Sequence, residues 1–166
     1  GLSVEQKEFV VEGLNEVGLS AGLFYFPGYG QYEAYNEEVK EQSVTDLQLI
    51  SWILGSCATI EQVKEAVSKA HIIAIDPRAS TVHWRFADKS GRQIVLEIVG
   101  GKPCFYENRL GVLTNSPGFE WQMTNLNNYV NLYAGTAEAR KMGDVQIASF
   151  RCVSSFCNYH IIIGGR

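Results

Sequence analysis

Long apolar runs are missing from these 166 residues. Nowhere does the chain approach the ~18 continuous apolar residues of a membrane-spanning helix, and Gly1 to Glu8 lack the basic-then-apolar order of a secretory leader. An excess of positive charge is missing too, with 14 Lys and Arg against 18 Asp and Glu and a formal net charge of -4. The basic residues are scattered singly, which leaves no electrostatic footprint for nucleic acid or an anionic membrane. The four cysteines are Cys57, Cys104, Cys152 and Cys157. Only the last two lie close together and no second pair follows, so metal-ligand spacing is absent and free or buried thiols are expected, with no metal and no cofactor. Internal repeats and low-complexity linkers are also lacking. What is present, 46% hydrophobic and 11% aromatic residues, suffices for the core of one domain.

Two apolar runs, Glu8 to Leu14 and Leu19 to Phe26, flank Asn15-Glu16-Val17-Gly18 and predict a β-hairpin. Phe26-Pro27-Gly28-Tyr29-Gly30 then breaks the second strand and opens a loop with exposed aromatics. From Ser43 the period becomes helical, with Leu47, Ile50, Trp52, Ile53 and Leu54 behind the capping candidates Ser43, Thr45 and Asp46. Thr59 and Gln62 form a possible capping box for a second helix, whose apolar stripe is Ile60, Val63, Ala66 and Val67. An antiparallel meander follows over His71 to Ile75, Thr81 to Ala87, Gln93 to Val99 and Lys102 to Tyr106, each β-branched or aromatic and bounded by turn residues. Gly111-Val112-Leu113 predicts one more short strand, and Phe119, Met123, Leu126 and Tyr129 a third helix. Hairpin, two helices, meander, helix is an α+β order, with helices covering sheet faces.

By residue type alone, Thr114-Asn115-Ser116-Pro117 is a strand-to-turn junction in which Asn and Ser bond their own backbone and Pro ends the ladder. The longer string from Gly111 through Thr114-Asn115-Ser116-Pro117-Gly118-Phe119-Glu120-Trp121-Gln122-Met123-Thr124-Asn125-Leu126-Asn127-Asn128-Tyr129 to Val130 resembles the signature of the choloylglycine hydrolase family, nearly residue for residue. Glu12 to Leu19, Ala21-Gly22-Leu23 and Phe26-Pro27-Gly28-Tyr29 resemble that family's early hairpin. Thr81-Val82-His83-Trp84, Asp88, Gly91 and the strand carrying Glu97 make a third match. The three lie in the family's order and span about Glu12 to Phe150.

The resemblance implies an αββα sandwich of the N-terminal-nucleophile hydrolase type, incomplete in this chain. Residues 1–150 would be the central part of a single domain, and 151–166 a tail diverging from the family. It implies hydrolysis of a linear amide by a processed N-terminal cysteine whose own α-amino group is the base. The implied substrate is a bile acid conjugated to glycine or taurine; penicillin V, an N-acyl homoserine lactone, or no substrate at all in a degenerate, non-catalytic domain are the alternatives. Asn115 would give its side-chain amide to the oxyanion and Asn15 a backbone N–H. Penicillin V acylases often place Tyr at the second position and bile salt hydrolases Asn, so Asn15 tilts the reading toward bile salts; as a residue type it is equally a turn former. Tyr25, Phe26, Tyr29 and Ile75 would line the substrate's apolar wall, although aromatics on strands also build cores. His83, beside Trp84, is expected to be a hydrogen-bonded structural residue. No cysteine precedes Asn15, so the chain is expected to be an internal, inactive fragment. Relatives are bacterial and commonly tetrameric; cytoplasm and periplasm both stay open as compartments.

Overall fold

A computed structural model describes residues 2–4, 7–128, 140–142 and 145–147, with side chains from 8 to 128. The chain divides into two units, Gly1–Leu126 and Asn127–Arg166. In the first, strands β1 (Leu2–Val4) and β2 (Lys7–Phe9) pair antiparallel. Strands β3 (Glu12–Leu14) and β4 (Ser20–Tyr25) form the expected hairpin around Asn15 to Gly18, with Gly18 at φ 88° closing the turn. The hairpin's first arm is shorter than its apolar run, because Lys7–Phe9 is taken by β1 instead.

Ser43 to Thr45 was expected to cap a helix and is strand β5. Helix α1 (Leu49–Ser56) starts later, and helix α2 (Ile60–Lys69) follows. Strand β6 (His71–Ile73) then returns to pair with β5 in parallel. This corrects the meander, which does not include His71 to Ile75: two helices between β5 and β6 make a crossover, and a crossover produces a parallel pair. Asp46, expected as a helix cap, instead accepts the Leu47 N–H at 2.8 Å and the Ile75 N–H at 3.0 Å, tying both exits of this pair. Burial raises the Asp46 carboxyl above its ordinary range.

Strands β7 (Val82–Ala87), β8 (Gln93–Val99) and β9 (Lys102–Glu107) are the antiparallel meander, and with β3 and β4 they give a five-stranded sheet in the order β3-β4-β7-β8-β9. Period-two alternation sends Val82, Trp84 and Phe86, with Ile94, Leu96 and Ile98, to one face. There they join Leu49, Ile50 and Ile53 of α1 and Ile60, Val63 and Val67 of α2 in one core. Each such large side chain contributes roughly 1.5–3 kcal/mol by burial. Gly111 to Leu113 is not a strand. Gly111 sits at φ 71°, and the Asn108 side chain accepts its N–H and donates to Val112 O, so both groups are used within a turn. Helix α3 (Phe119–Leu126) forms as expected; Tyr129 and the tail 151–166 lie outside the described residues. The second unit contributes an antiparallel pair, β10 (Arg140–Met142) with β11 (Val145–Ile147). Among the described residues no helix is long and apolar enough to cross a membrane, and no cluster of His, Cys, Asp or Glu could hold a metal ion.

Candidate active site

The other face of the sheet carries the segment between β9 and α3. Here β4 ends, and Tyr25 to Pro27 are bound side by side to Asn115 and Ser116. The Tyr25 N–H donates to Asn115 Oδ1 at 2.9 Å, Ser116 N–H donates to Tyr25 O at 2.9 Å, and Ser116 Oγ donates to Pro27 O at 3.0 Å. Thr81 adds a fourth tie, its Oγ to Phe26 O, while its carbonyl accepts the Phe26 N–H. A carboxamide whose oxygen is engaged by a backbone N–H has its orientation fixed. Asn115 therefore holds its Nδ2 with both hydrogens free of protein acceptors among the described residues.

Two further groups hold this turn. Gln122, on α3, aims Nε2 at the carbonyls of Pro117 (2.7 Å), Asn115 (3.0 Å) and Thr114 (3.3 Å), and its Oε1 accepts the Thr114 N–H. Beneath it lies a fully buried pair: His83 Nδ1 is 3.2 Å from Glu97 Oε1, His83 Nε2 is 3.0 Å from Thr114 O, and Glu97 Oε1 accepts the Phe119 N–H at 2.7 Å. His83 is thus hydrogen-bonded at both ring nitrogens. Burial, with Glu97 adding repulsion, pushes the neighbouring Tyr106 phenol up to about 12. A carboxylate inside the otherwise apolar run Ile94-Val95-Leu96-Glu97-Ile98 was the sequence signal for this pair; Gln122 carried no comparable signal, being a polar residue on a helix.

The expected site residues separate into those that meet and those that do not. Tyr25 and Tyr29 flank the turn and are 52% and 51% exposed, which leaves their rings open to a ligand. Phe26 is buried instead, stacked on His83 with centroids 4.4 Å apart and on Tyr29 at 5.6 Å, so its ring is core beneath the wall rather than the wall itself. Ile75 sits after β6, its N–H held by Asp46. Asn15 does not join Asn115. Its backbone N–H donates to Leu19 O, its Oδ1 accepts the Leu19 N–H at 2.8 Å, and its Nδ2 donates to Leu54 O (3.0 Å) and Cys57 O (2.8 Å). No donor is left for an oxyanion. Asn15 also pairs at the Leu19 end of β4, whereas Asn115 binds at the Tyr25 end, six residues or about 20 Å along an extended chain. These contacts lend no support to the substrate preference inferred from Asn15.

The model of the linear amide C–N hydrolases, choloylglycine hydrolase family, matches residues 1–154. The chain belongs to this family. A bile salt hydrolase/transferase of Clostridium perfringens is 34% identical over 142 residues, covering 83% of this chain and 43% of that protein. A solved conjugated bile acid hydrolase from the same organism superposes with a TM-score of 0.71 at 32% identity, over 90% of this chain and 46% of the other. The penicillin V acylase of Agrobacterium tumefaciens shares the fold, with a TM-score of 0.63 at 24% identity over 75% and 38%. The choloylglycine hydrolase fold is an α+β sandwich of the N-terminal-nucleophile type, and this chain spans about half the length of the relatives it matches.

Proposed function

We propose that this chain carries the oxyanion side of an amidase that cleaves a bile acid from glycine or taurine, and that the attacking cysteine lies in sequence beyond the chain. The observation that carries the reading is the Asn115 carboxamide, fixed through its oxygen by the Tyr25 N–H and with no acceptor at Nδ2 among the described residues. Attack of a thiolate on an amide carbonyl places negative charge on the oxygen, and a donor already oriented stabilises that charge without reorganising. A neutral amide does so without adding a fixed charge to the site. Tyr25 and Tyr29 would supply the apolar wall, each a flat ring with a polar tip that suits a hydroxylated steroid. For Ile75, whose N–H is held by Asp46, the described residues give no contact supporting a place in it. The bile salt preference leans on the Clostridium perfringens proteins named above, both closer in sequence than the penicillin V acylase.

The test compares the chain alone with the chain extended upstream through a processed cysteine, measuring taurine and glycine release and penicillin V cleavage. Release of taurine or glycine by the extended protein and none by the chain alone is expected. Turnover by the chain alone would show that the nucleophile is within it, and faster cleavage of penicillin V would replace the substrate.

A further inference from the structure

We infer that the buried His83–Glu97 pair is the positioning element of Asn115, setting the rate of amide cleavage through the turn it grips rather than by touching substrate. The inference rests on the reading of Asn115 as oxyanion donor. His83 touches both segments beneath the site: its ring lies flat on Phe26, 4.4 Å between centroids and 8° from parallel, and its Nε2 meets Thr114 O at 3.0 Å. Phe26 is flanked by Tyr25 and Pro27, which bind Asn115 and Ser116. Thr114 directly precedes Asn115. One imidazole therefore spans the two segments whose contact orients the carboxamide.

The proton positions follow from the partners. A carbonyl can only accept, so the Thr114 contact requires hydrogen on Nε2. The 3.2 Å contact between Nδ1 and Glu97 Oε1 is a hydrogen bond only with one proton between the two atoms. The same oxygen accepts the Phe119 N–H, so Glu97 also fixes the start of α3, the helix that carries Gln122. Glu97→Gln keeps the shape and breaks this logic. An amide oxygen accepting from Phe119 offers no proton to Nδ1. With the amide oxygen held by the Phe119 N–H, the contact to Nδ1 survives only if the ring hydrogen sits there, and a neutral His83 that supplies it releases Thr114 O.

The test has two arms. In the extended, active protein, Glu97→Gln and His83→Phe, which preserves the ring stack, should lower kcat about 10- to 100-fold with KM within about twofold, as misplacement of a reacting group does. In the 166-residue chain, 15N spectra of Glu97→Gln should show the His83 proton moved from Nε2 to Nδ1 and the Asn115 side-chain amide signals shifted. Should Glu97→Gln fail to fold, the kcat and KM of His83→Phe decide; should His83→Phe fail, Glu97→Gln and its spectra decide. Unchanged kcat in Glu97→Gln beside a large loss in Asn115→Ala would overturn the positioning role alone. Unchanged kcat in Asn115→Ala would instead overturn the donor reading, and unmoved Asn115 signals in Glu97→Gln would overturn positioning independently of it.

Discussion

Asn15→Ala should cost stability rather than chemistry. The side chain of Asn15 ends helix α1: Leu54 O is among the last carbonyls of that helix, which have no partner within it, and Cys57 O lies just past its end. Both accept from Nδ2, while Oδ1 accepts the Leu19 N–H across the turn. Three half-buried hydrogen bonds at about 0.5–1.5 kcal/mol net each, reduced because water can reach the rim, give a loss of about 2–3 kcal/mol. For a chain of this size each kcal/mol moves Tm by roughly 2–4 °C, so a fall of about 5–10 °C is expected. Asn15→Asp should do no better, since its carboxylate would face two carbonyls at the negative end of the helix. The assay is thermal unfolding of the 166-residue chain followed by circular dichroism, with urea titration to confirm an unchanged m-value. A Tm within about 2 °C of the parent, together with lost hydrolysis in the extended protein, would refute this account and return Asn15 to the site.

Two smaller effects follow from the same contacts. Thr59 Oγ accepts the Gln62 N–H, and Gln62 Oε1 reaches back to the Ala58 N–H, so Thr59→Ala should lower stability by about 1 kcal/mol in urea titration while leaving α2 in place. Hydrogen bonds from Arg92, then from Lys64, hold the Glu107 carboxyl down to about 2, below its unfolded value near ~4.3. Its stabilisation is therefore complete above pH ~4.3 and lost as pH falls toward 2; with Glu107 at 42% exposure, solvent screening keeps it under about 1 kcal/mol. Melts between pH 5 and 2.5 should be measurably less steep in pH for Glu107→Gln.

The sequence made the meander legible because Val82 to Ala87 and Gln93 to Val99 are rich in β-branched and aromatic residues and end at Asp88 and Gly100. It made α2 legible because a side-chain cap precedes an apolar stripe. It misplaced β5 because Ser43, Thr45 and Asp46 are the residue types of a helix cap, and only the return of His71–Ile73 beside them makes Ser43–Thr45 a strand. In the site, the motif around Asn115 was readable, but the partner that orients it was not: the decisive group is the backbone N–H of Tyr25, 90 residues away, and a backbone group leaves no trace in residue type. Asn15 was ambiguous for a related reason. Its type fits an oxyanion donor and a turn equally, and only the carbonyls of Leu54 and Cys57 show which use it serves.

The most direct measurement is kcat for Asn115→Asp in the extended protein, on a taurine- or glycine-conjugated bile salt. Aspartate keeps the acceptor for the Tyr25 N–H, so the turn should hold, but it removes the Nδ2 donor and sets a negative charge where the oxyanion would form. Loss of one such donor costs about 3 kcal/mol of transition-state stabilisation, and a fall in kcat of at least about 100-fold, with Tm nearly unchanged, is predicted. A kcat within a few-fold of the parent would contradict the oxyanion role of Asn115 and with it the central claim.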